Sequence, residues 1–239
     1  MCGEWTGIGR QADLEARMRV VDLTFPIKPH FRWKVATDLK GSHAKGDLFQ
    51  TTILTIHCHA FTHVDAPLHF LPGGKHIAQM PVDQWVGEAA VVDLTHISEN
   101  GEVTGADLER QGRHVRTGDI VLLRTDWPSR VSVETEKFWR DAPYTGQSAC
   151  EWLIRRKAKA VGYDYPPDYC VRTMTFEPLK KLTRKDNTTH QAFFPVGITV
   201  IEYLTNLDLI GAPRCRFVAL PLPVEGADGS PVRAVALVD

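Results

Sequence analysis

Short apolar runs that alternate with helical segments constrain the fold of this chain most strongly. The clearest pair is a helix expected to begin near Ser148, with Ser148 and Glu151 at capping-box spacing, followed by the apolar run 160–163. Several runs are almost continuously apolar, which is typical of strands buried on both faces. This alternation predicts an α/β fold. The expected strands are 19–23, 51–56, 89–94, 119–124, 160–163 and 216–220, and a second helix is expected at 106–111.

The length of the chain is compatible with one large domain. Its 239 residues can bury a substantial core without disulfide or metal staples. No repeat, low-complexity tract or linker divides the sequence. One domain spanning residues 1–239 is therefore expected.

Charge and cysteine usage exclude several classes of protein. The formal net charge is −1, so nothing favours binding to nucleic acid. The N-terminal segment is polar and lacks the apolar core of a signal peptide, and no run approaches the roughly 18 apolar residues of a membrane span. The five cysteines form no CxxC pair, which indicates free thiols in a reducing compartment. A cytoplasmic protein without membrane or nucleic-acid partners is expected.

Histidines crowd one short segment, HCHAFTHVDAPLHF at 57–70. Within it, His59, His63 and Asp65 offer three metal-ligand side chains in seven residues. Imidazole and carboxylate together suit Zn²⁺, or Mn²⁺ and Fe²⁺ with more oxygen ligation. Three ligands with open positions are typical of a catalytic rather than a structural site. The segment therefore predicts a metal centre.

The spacing of these ligands also predicts the shape of the segment. In a strand, His63 and Asp65 share one face with Cα atoms about 6.6 Å apart, so one ion can contact both. On a flat strand His59 would lie about 13 Å from His63, too far for metal bonds of about 2 Å. We expect a bend near 60–61, an extended run through Asp65, and an end at Pro67.

The same segment closely resembles the signature of the metal-dependent cyclase family, which includes bacterial kynurenine formamidase and isatin hydrolase. The family pattern His-x-Gly-Thr-His-x-Asp-x-Pro-x-His is matched at His59, Thr62, His63, Asp65, Pro67 and His69. Further similarity covers 22–24, the strand-like segment 118–125 and the C-terminal segment 225–233, so the resemblance spans nearly the whole chain.

The resemblance implies a fold, a metal site and an assembly. It implies an α/β domain of the swivelling β/β/α type and a homo-oligomer, either a homodimer or a homotetramer. It assigns His59, His63 and Asp65 to the metal, Zn²⁺ or Mn²⁺, with one or two ions per subunit. In two-metal members a distant His and Glu twelve residues apart complete the site, and His190 and Glu202 have this spacing.

Two aromatic residues are candidate substrate contacts. Phe61 stands where the family pattern has glycine, and its ring either projects into the pocket or packs into the core while the bend lies elsewhere. Trp33 follows the first strand at about the distance where the family carries a substrate-contacting aromatic residue, and a buried core position is the alternative.

The resemblance and the metal chemistry together imply a metal-dependent amide hydrolase. Metal-bound hydroxide would attack an aryl formamide such as N-formylkynurenine, or a cyclic amide such as isatin. His69 would serve as general acid/base, and the alternative role for His69 is a fourth metal ligand. Two other functions stay open: a non-hydrolytic cyclase of a polyketide-like substrate, and a catalytically inactive ligand-binding protein.

Overall fold

The computed structural model of the chain describes residues 18–239. Residues 1–17 lie outside the described part. They include the beginning of the expected domain, Cys2 and the polar segment that was compared with a signal peptide.

Strands and short helices alternate along most of the chain, as the apolar runs predict. The strands are β1 (Arg19–Asp22), β2 (Val35–Gly41), β3 (Thr51–Ile56), β4 (His63–Asp65), β5 (Val86–Asp93), β6 (Glu102–Val103), β7 (Ile120–Arg124), β8 (Tyr144–Thr145), β9 (Ala160–Tyr163), β10 (Thr199–Glu202), β11 (Arg214–Val218), β12 (Gly229–Pro231) and β13 (Val235–Val238). The α-helices are α1 (Gly105–Gln111), α2 (Trp127–Arg130), α3 (Glu136–Arg140), α4 (Gln147–Arg155), α5 (Val171–Phe176) and α6 (Thr188–Phe193). All six expected strands and both expected helices are present, with shifts at their ends.

A nine-stranded mixed sheet organises the described residues. Its order is β1-β13-β11-β5-β7-β9-β10-β4-β12. The central strands β5, β7, β9 and β10 run parallel, and β4 pairs antiparallel with both β10 and β12. The histidine-rich segment therefore enters the sheet next to the last parallel strand.

Apolar side chains cover both faces of this sheet. Along β7, Val121 and Leu123 join the larger buried cluster, whereas Ile120 and Leu122 join the smaller cluster on the other face. Trp152 of α4 packs into the larger cluster. Each fully buried Val or Leu contributes about 1.5–3 kcal/mol, so a strand without a polar face is stable only between two apolar layers.

The expected capping box at Ser148 and Glu151 is wrong. Helix α4 begins at Gln147, and its N-cap is Gly146, which makes no side-chain cap. The Ser148 hydroxyl instead accepts a hydrogen bond from the Gly105 amide at 3.0 Å, at the start of α1. The Ser148 side chain therefore makes a tertiary contact with α1 and does not form the cap that the local pattern predicted for its own helix.

Two small sheets lie outside the nine-stranded sheet, one formed by β2 and β3 and the other by β6 and β8. Most side chains of β2 and β3 are exposed. Among residues 18–239, no helix combines the length and apolar character required to cross a membrane.

Candidate metal centre and active site

The chain bends sharply just before β4, as the ligand spacing predicts. The Ala60 amide donates to the His57 carbonyl in a tight turn, and Phe61 takes a left-handed backbone conformation with φ +55°. Non-glycine residues rarely adopt this conformation, and it costs on the order of 1–3 kcal/mol. The bend returns His59 towards Asp65, so that His59 Nδ1 lies 2.7 Å from Asp65 Oδ1.

Strand β4 then places the next two ligand-type side chains on one face. His63 and Asp65 alternate with Val64, which is buried in the smaller apolar cluster on the opposite face. His63 Nε2 lies 3.2 Å from Asp65 Oδ1. Glu202, at the end of β10, is the direct cross-strand partner of His63, and its Oε2 lies 3.7 Å from His63 Nε2.

Helix α6 contributes the fifth predicted ligand. His190 Nε2 lies 3.1 Å from Asp65 Oδ2 and 3.4 Å from Glu202 Oε1. Its other ring nitrogen, Nδ1, donates to Asp168 Oδ2 at 2.5 Å, and the Thr189 amide donates to the same carboxylate at 2.7 Å. The Asp168 carboxylate thereby fixes both the start of α6 and the orientation of the His190 ring.

All five residues predicted to bind metal therefore converge on one place. Ligand-type atoms of Asp65, His190 and Glu202 lie within 4.8 Å of one another, and so do those of His59, Asp65 and His69. Ligands bonded to one ion at about 2 Å lie roughly 3–3.5 Å apart, which is close to the spacings in this cluster. Asp65 belongs to both groups.

The tautomers of two imidazoles suit metal binding. His63 Nδ1 lies 2.8 Å from the carbonyl oxygen of Phe61, and His190 Nδ1 contacts Asp168. Because a carbonyl or carboxylate oxygen only accepts, each Nδ1 carries the hydrogen, and the neutral ring presents an unprotonated Nε2. Such outer contacts commonly orient metal-bound histidines.

The charges of the cluster also fit a cation. Burial and the nearby Asp65 charge raise the pKa of Glu202. Burial acts to raise the pKa of Asp65 as well, but the imidazoles of His59, His63 and His69 outweigh it and hold that pKa well below its usual range. Crowded buried carboxylates are stabilised only by positive charge, which protons or a divalent ion can supply.

Protonated imidazoles of His59 and His190 can supply this positive charge. Burial acts to lower the pKa of His59, but the Asp65 and Asp228 carboxylates outweigh it and raise the pKa to about 9. Burial likewise acts to lower the pKa of His190, and Asp168 and Asp65 raise it well above its usual value. His59 Nε2 is buried without an aligned hydrogen-bond partner, although the Asp228 carboxylate lies 3.0 Å away. A metal ion would displace these protons and bind the imidazole nitrogens that carried them.

His69 lies beside this cluster and is more exposed than the buried ligands. Its ring centroid is 4.0 Å from that of His59 and 5.6 Å from that of His190. Burial lowers the pKa of His69, an effect partly offset by the Asp65 charge. Asp228 Oδ2 accepts from His69 Nδ1 at 3.2 Å, which leaves Nε2 as the nitrogen that can take up a proton.

A cavity of about 540 Å³ opens onto the cluster. Trp33 and Tyr203 line it together with His59, His63, Asp65, His69, His190 and Glu202.

Phe61 is not among the lining residues. Its ring is 1% exposed and packs beneath Trp33 with centroids 4.8 Å apart, so of the two positions considered for this ring the structure has the core one. Trp33 lines the cavity, and Phe61 lies behind it.

Four residues around the cavity were not singled out from the sequence as site residues: Arg32, Asp168, Tyr203 and Asp228. Asp228 lies in the C-terminal segment that resembles the family, and Tyr203 follows Glu202, so both had a positional signal. Arg32 and Asp168 carry no motif, because their proximity to the site results from tertiary packing alone.

Known proteins resemble this chain in sequence and in fold. The model of a family described as putative cyclase matches residues 21–167. A kynurenine formamidase of Bacillus cereus is 30% identical over 182 residues, which cover 76% of this chain and 77% of that protein. A kynurenine formamidase of Geobacillus thermodenitrificans is 28% identical over 98% of this chain and 97% of its own. Isatin hydrolase A from Ralstonia solanacearum superposes with a TM-score of 0.77 over 99% of this chain and 100% of its own, at 24% identity.

The kynurenine formamidase relatives, together with the α/β sheet and the buried His/Asp/Glu cluster, place the chain in the class of metal-dependent hydrolases that act on C–N bonds other than peptide bonds. The chain belongs to the cyclase family. The predictions of family, α/β fold, reaction class and a divalent metal are therefore confirmed. The ion, the substrate and the individual residue roles remain predictions.

Proposed function

We propose that this protein hydrolyses the C–N bond of a small aryl amide, either an aryl formamide such as N-formylkynurenine or a cyclic amide such as isatin. The observation that carries the proposal is the convergence of His59, His63, Asp65, His190 and Glu202 beside a cavity with an aromatic wall. The names of the relatives, kynurenine formamidase and isatin hydrolase, support these two substrate types.

We propose two Zn²⁺ or Mn²⁺ ions as the cofactor, held by these five residues. Three imidazoles suit either ion. The two oxygens of Asp65 face different ligands, Oδ1 facing His59 and His63 and Oδ2 facing His190, which supports a pair. When bound, the metal would supply Lewis acidity to a carbonyl oxygen and lower the pKa of a water molecule from 15.7 to roughly 7.

His69 is the proposed proton carrier. It accepts a proton from the attacking water and returns it to the leaving nitrogen, because an amide anion is a poor leaving group. Asp228 holds Nδ1 of His69 in the protonated form, so that Nε2 performs the transfer. The alternative for His69 is metal ligation, which its closeness to His59 and Asp65 also permits.

Trp33 and Tyr203 are proposed to seat the aryl ring of the substrate. Their rings lie 5.5 Å apart on the cavity wall, and Tyr203 lies 5.5 Å from the ring of His63. An aromatic substrate packed on this wall would have its carbonyl group near the metal ligands.

The test is a hydrolysis screen of the purified protein with added Zn²⁺ or Mn²⁺ and a chelator control. The panel contains N-formylkynurenine, isatin, simple aryl formamides and several lactones. We expect chelator-sensitive release of acid from one of the two amide types. Turnover of a lactone alone, or turnover that survives complete metal removal, would contradict the proposal.

The two alternative functions predict other outcomes of the same screen. A cyclase would conserve the mass of its substrate apart from water, which mass spectrometry detects. A catalytically inactive binding protein would turn nothing over. Its best support was a pocket blocked by Phe61, and the core position of that ring removes this support.

We further propose a cytoplasmic homodimer or homotetramer. The four cysteines among the described residues are free thiols, which is consistent with a reducing compartment.

Apolar side chains on and between β2 and β3 are exposed, notably Leu48 and Phe49 at 91% and 65%. Light scattering should give an oligomeric mass that falls in Leu48→Glu/Phe49→Glu. A monomeric wild-type protein would contradict this proposal.

A further inference from the structure

One guanidinium group in the cavity, that of Arg32, pairs with no carboxylate in the described part of the chain. Arg32 lines the cavity together with Trp33 and the metal ligands. Between residues 18 and 239, the ion pairs of the structure do not include Arg32. The acidic residue Glu136 also lines the cavity, but it is exposed and its carboxylate pairs with Arg140 at 3.2 Å.

The Arg32 side chain is nevertheless held in place. Its guanidinium lies 4.6 Å from the centre of the Trp139 ring, and Nη1 donates to the Thr175 hydroxyl. Its Nε is buried and has no hydrogen-bond partner among the described residues. A buried donor on a charged group is costly when it is left unpaired, so the guanidinium group is not fully satisfied by the protein.

Aromatic rings connect this guanidinium with the metal site. The Trp139 ring contacts Tyr203 at 5.2 Å between centroids, and Tyr203 contacts His63 at 5.5 Å. Arg32 lines the same cavity as Trp33, Tyr203 and the metal ligands. A substrate ring packed against Trp33 and Tyr203 can place its amide near the metal ligands and a charged substituent near Arg32.

We propose that Arg32 binds an anionic substituent of the substrate, most simply a carboxylate, so that the enzyme selects aryl amides that carry a negative charge over neutral ones. Arginine suits this role because its planar fork of donors matches a carboxylate and because stacking pre-organises it. This inference rests on the proposed amide hydrolase for its substrate class, but the binding of the anion can be measured without turnover.

The experiment compares binding of 2-, 3- and 4-aminobenzoate with binding of aniline to the metal-loaded protein, by calorimetry or fluorescence. We expect at least one aminobenzoate to bind roughly tenfold or more tightly than aniline. Arg32→Gln should abolish that preference and leave aniline binding unchanged. The matched control is Arg130→Gln, which removes a guanidinium stacked 5.3 Å from the centre of the Trp127 ring and outside the cavity lining. It should keep the preference.

Two results would overturn the inference. One is equal binding of aminobenzoates and aniline to the wild-type protein. The other is a preference that persists in Arg32→Gln and disappears on chelation, because the carboxylate would then bind the metal. If Arg32→Gln fails to fold, Arg32→Lys provides the test. It should weaken aminobenzoate binding several-fold, because lysine lacks the planar fork of donors. Unchanged aminobenzoate affinity in Arg32→Lys would contradict the inference. Failure of the proposed hydrolase would appear separately, as no turnover of any amide.

Discussion

Asp65 is the residue on which the site depends most. Its Oδ1 contacts His59 and His63, and its Oδ2 contacts His190, so it touches all three imidazoles assigned to the metal. The side chain is 1% exposed. A carboxylate buried so deeply is stable only with positive charge around it, and a divalent ion is the strongest source of that charge.

His69 and Asp65 should respond differently to substitution because only one of them is proposed as a metal ligand. We expect His69→Ala to keep its metal and to lose about 10²–10⁴-fold in kcat, the usual contribution of general acid–base catalysis. The measurement is metal content by elemental analysis alongside kcat for the best amide substrate. Loss of metal from His69→Ala would instead identify His69 as a ligand.

Asp168 should act on the metal through His190. Asp168→Asn removes the charged acceptor of His190 Nδ1 and should lower metal affinity by about 10–100-fold, as the loss of such supporting contacts usually does. Metal titration of the chelated protein measures this change. The matched control is Asp164→Asn, because the buried Asp164 carboxylate accepts its hydrogen bonds from Thr125 and Asp126. Equal metal affinity in wild type and Asp168→Asn would refute the supporting role.

At the scale of elements, helix α1 offers a prediction that is independent of the active site. Its N-cap Thr104 donates from both its amide and its hydroxyl to Asp107 Oδ2, at 3.0 and 2.6 Å. Burial acts to raise the pKa of Asp107, but these hydrogen bonds and the neighbouring Arg110 lower it to about 2. The native state therefore favours the charged carboxylate.

The stability from this cap should be present above about pH 4 and should fall as the pH approaches 2, because protonation then removes the charged acceptor. Asp107→Asn should lower the free energy of unfolding at pH 7 by about 1 kcal/mol. The difference from wild type should shrink between pH 4 and pH 3. Urea unfolding at pH 7, 4 and 3 measures it, and a constant difference across this range would argue against the carboxylate.

The sequence predicts an element well where ligand spacing limits the shape of the backbone or where an apolar run marks a buried strand. The bend before β4 follows from the reach of a metal–nitrogen bond, and the buried strands follow from unbroken apolar runs such as 120–123 in β7. The failure at Ser148 has the opposite origin. Its hydroxyl contacts Gly105, a residue 43 positions away, and such a contact leaves no local pattern.

At the scale of the whole molecule, the site depends on strand order. His63 and Glu202 become neighbours because β4 pairs with β10, although they lie 139 positions apart in the sequence. His190 and Glu202 were therefore predictable only through the family resemblance, whereas His59, His63 and Asp65 were predictable from spacing. Arg32 and Asp168 depend on how helices pack over the finished sheet, and no spacing rule specifies that packing.

The account as a whole depends on a divalent metal held by these residues and required for amide hydrolysis. The most direct measurement is the turnover rate of chelated protein as Zn²⁺ or Mn²⁺ is added back, for wild type and for Asp65→Ala. We expect the chelated wild type to be inactive and to recover with added metal, while Asp65→Ala neither retains metal nor recovers. Full turnover by metal-free wild-type protein, or full metal occupancy and activity in Asp65→Ala, would contradict the account.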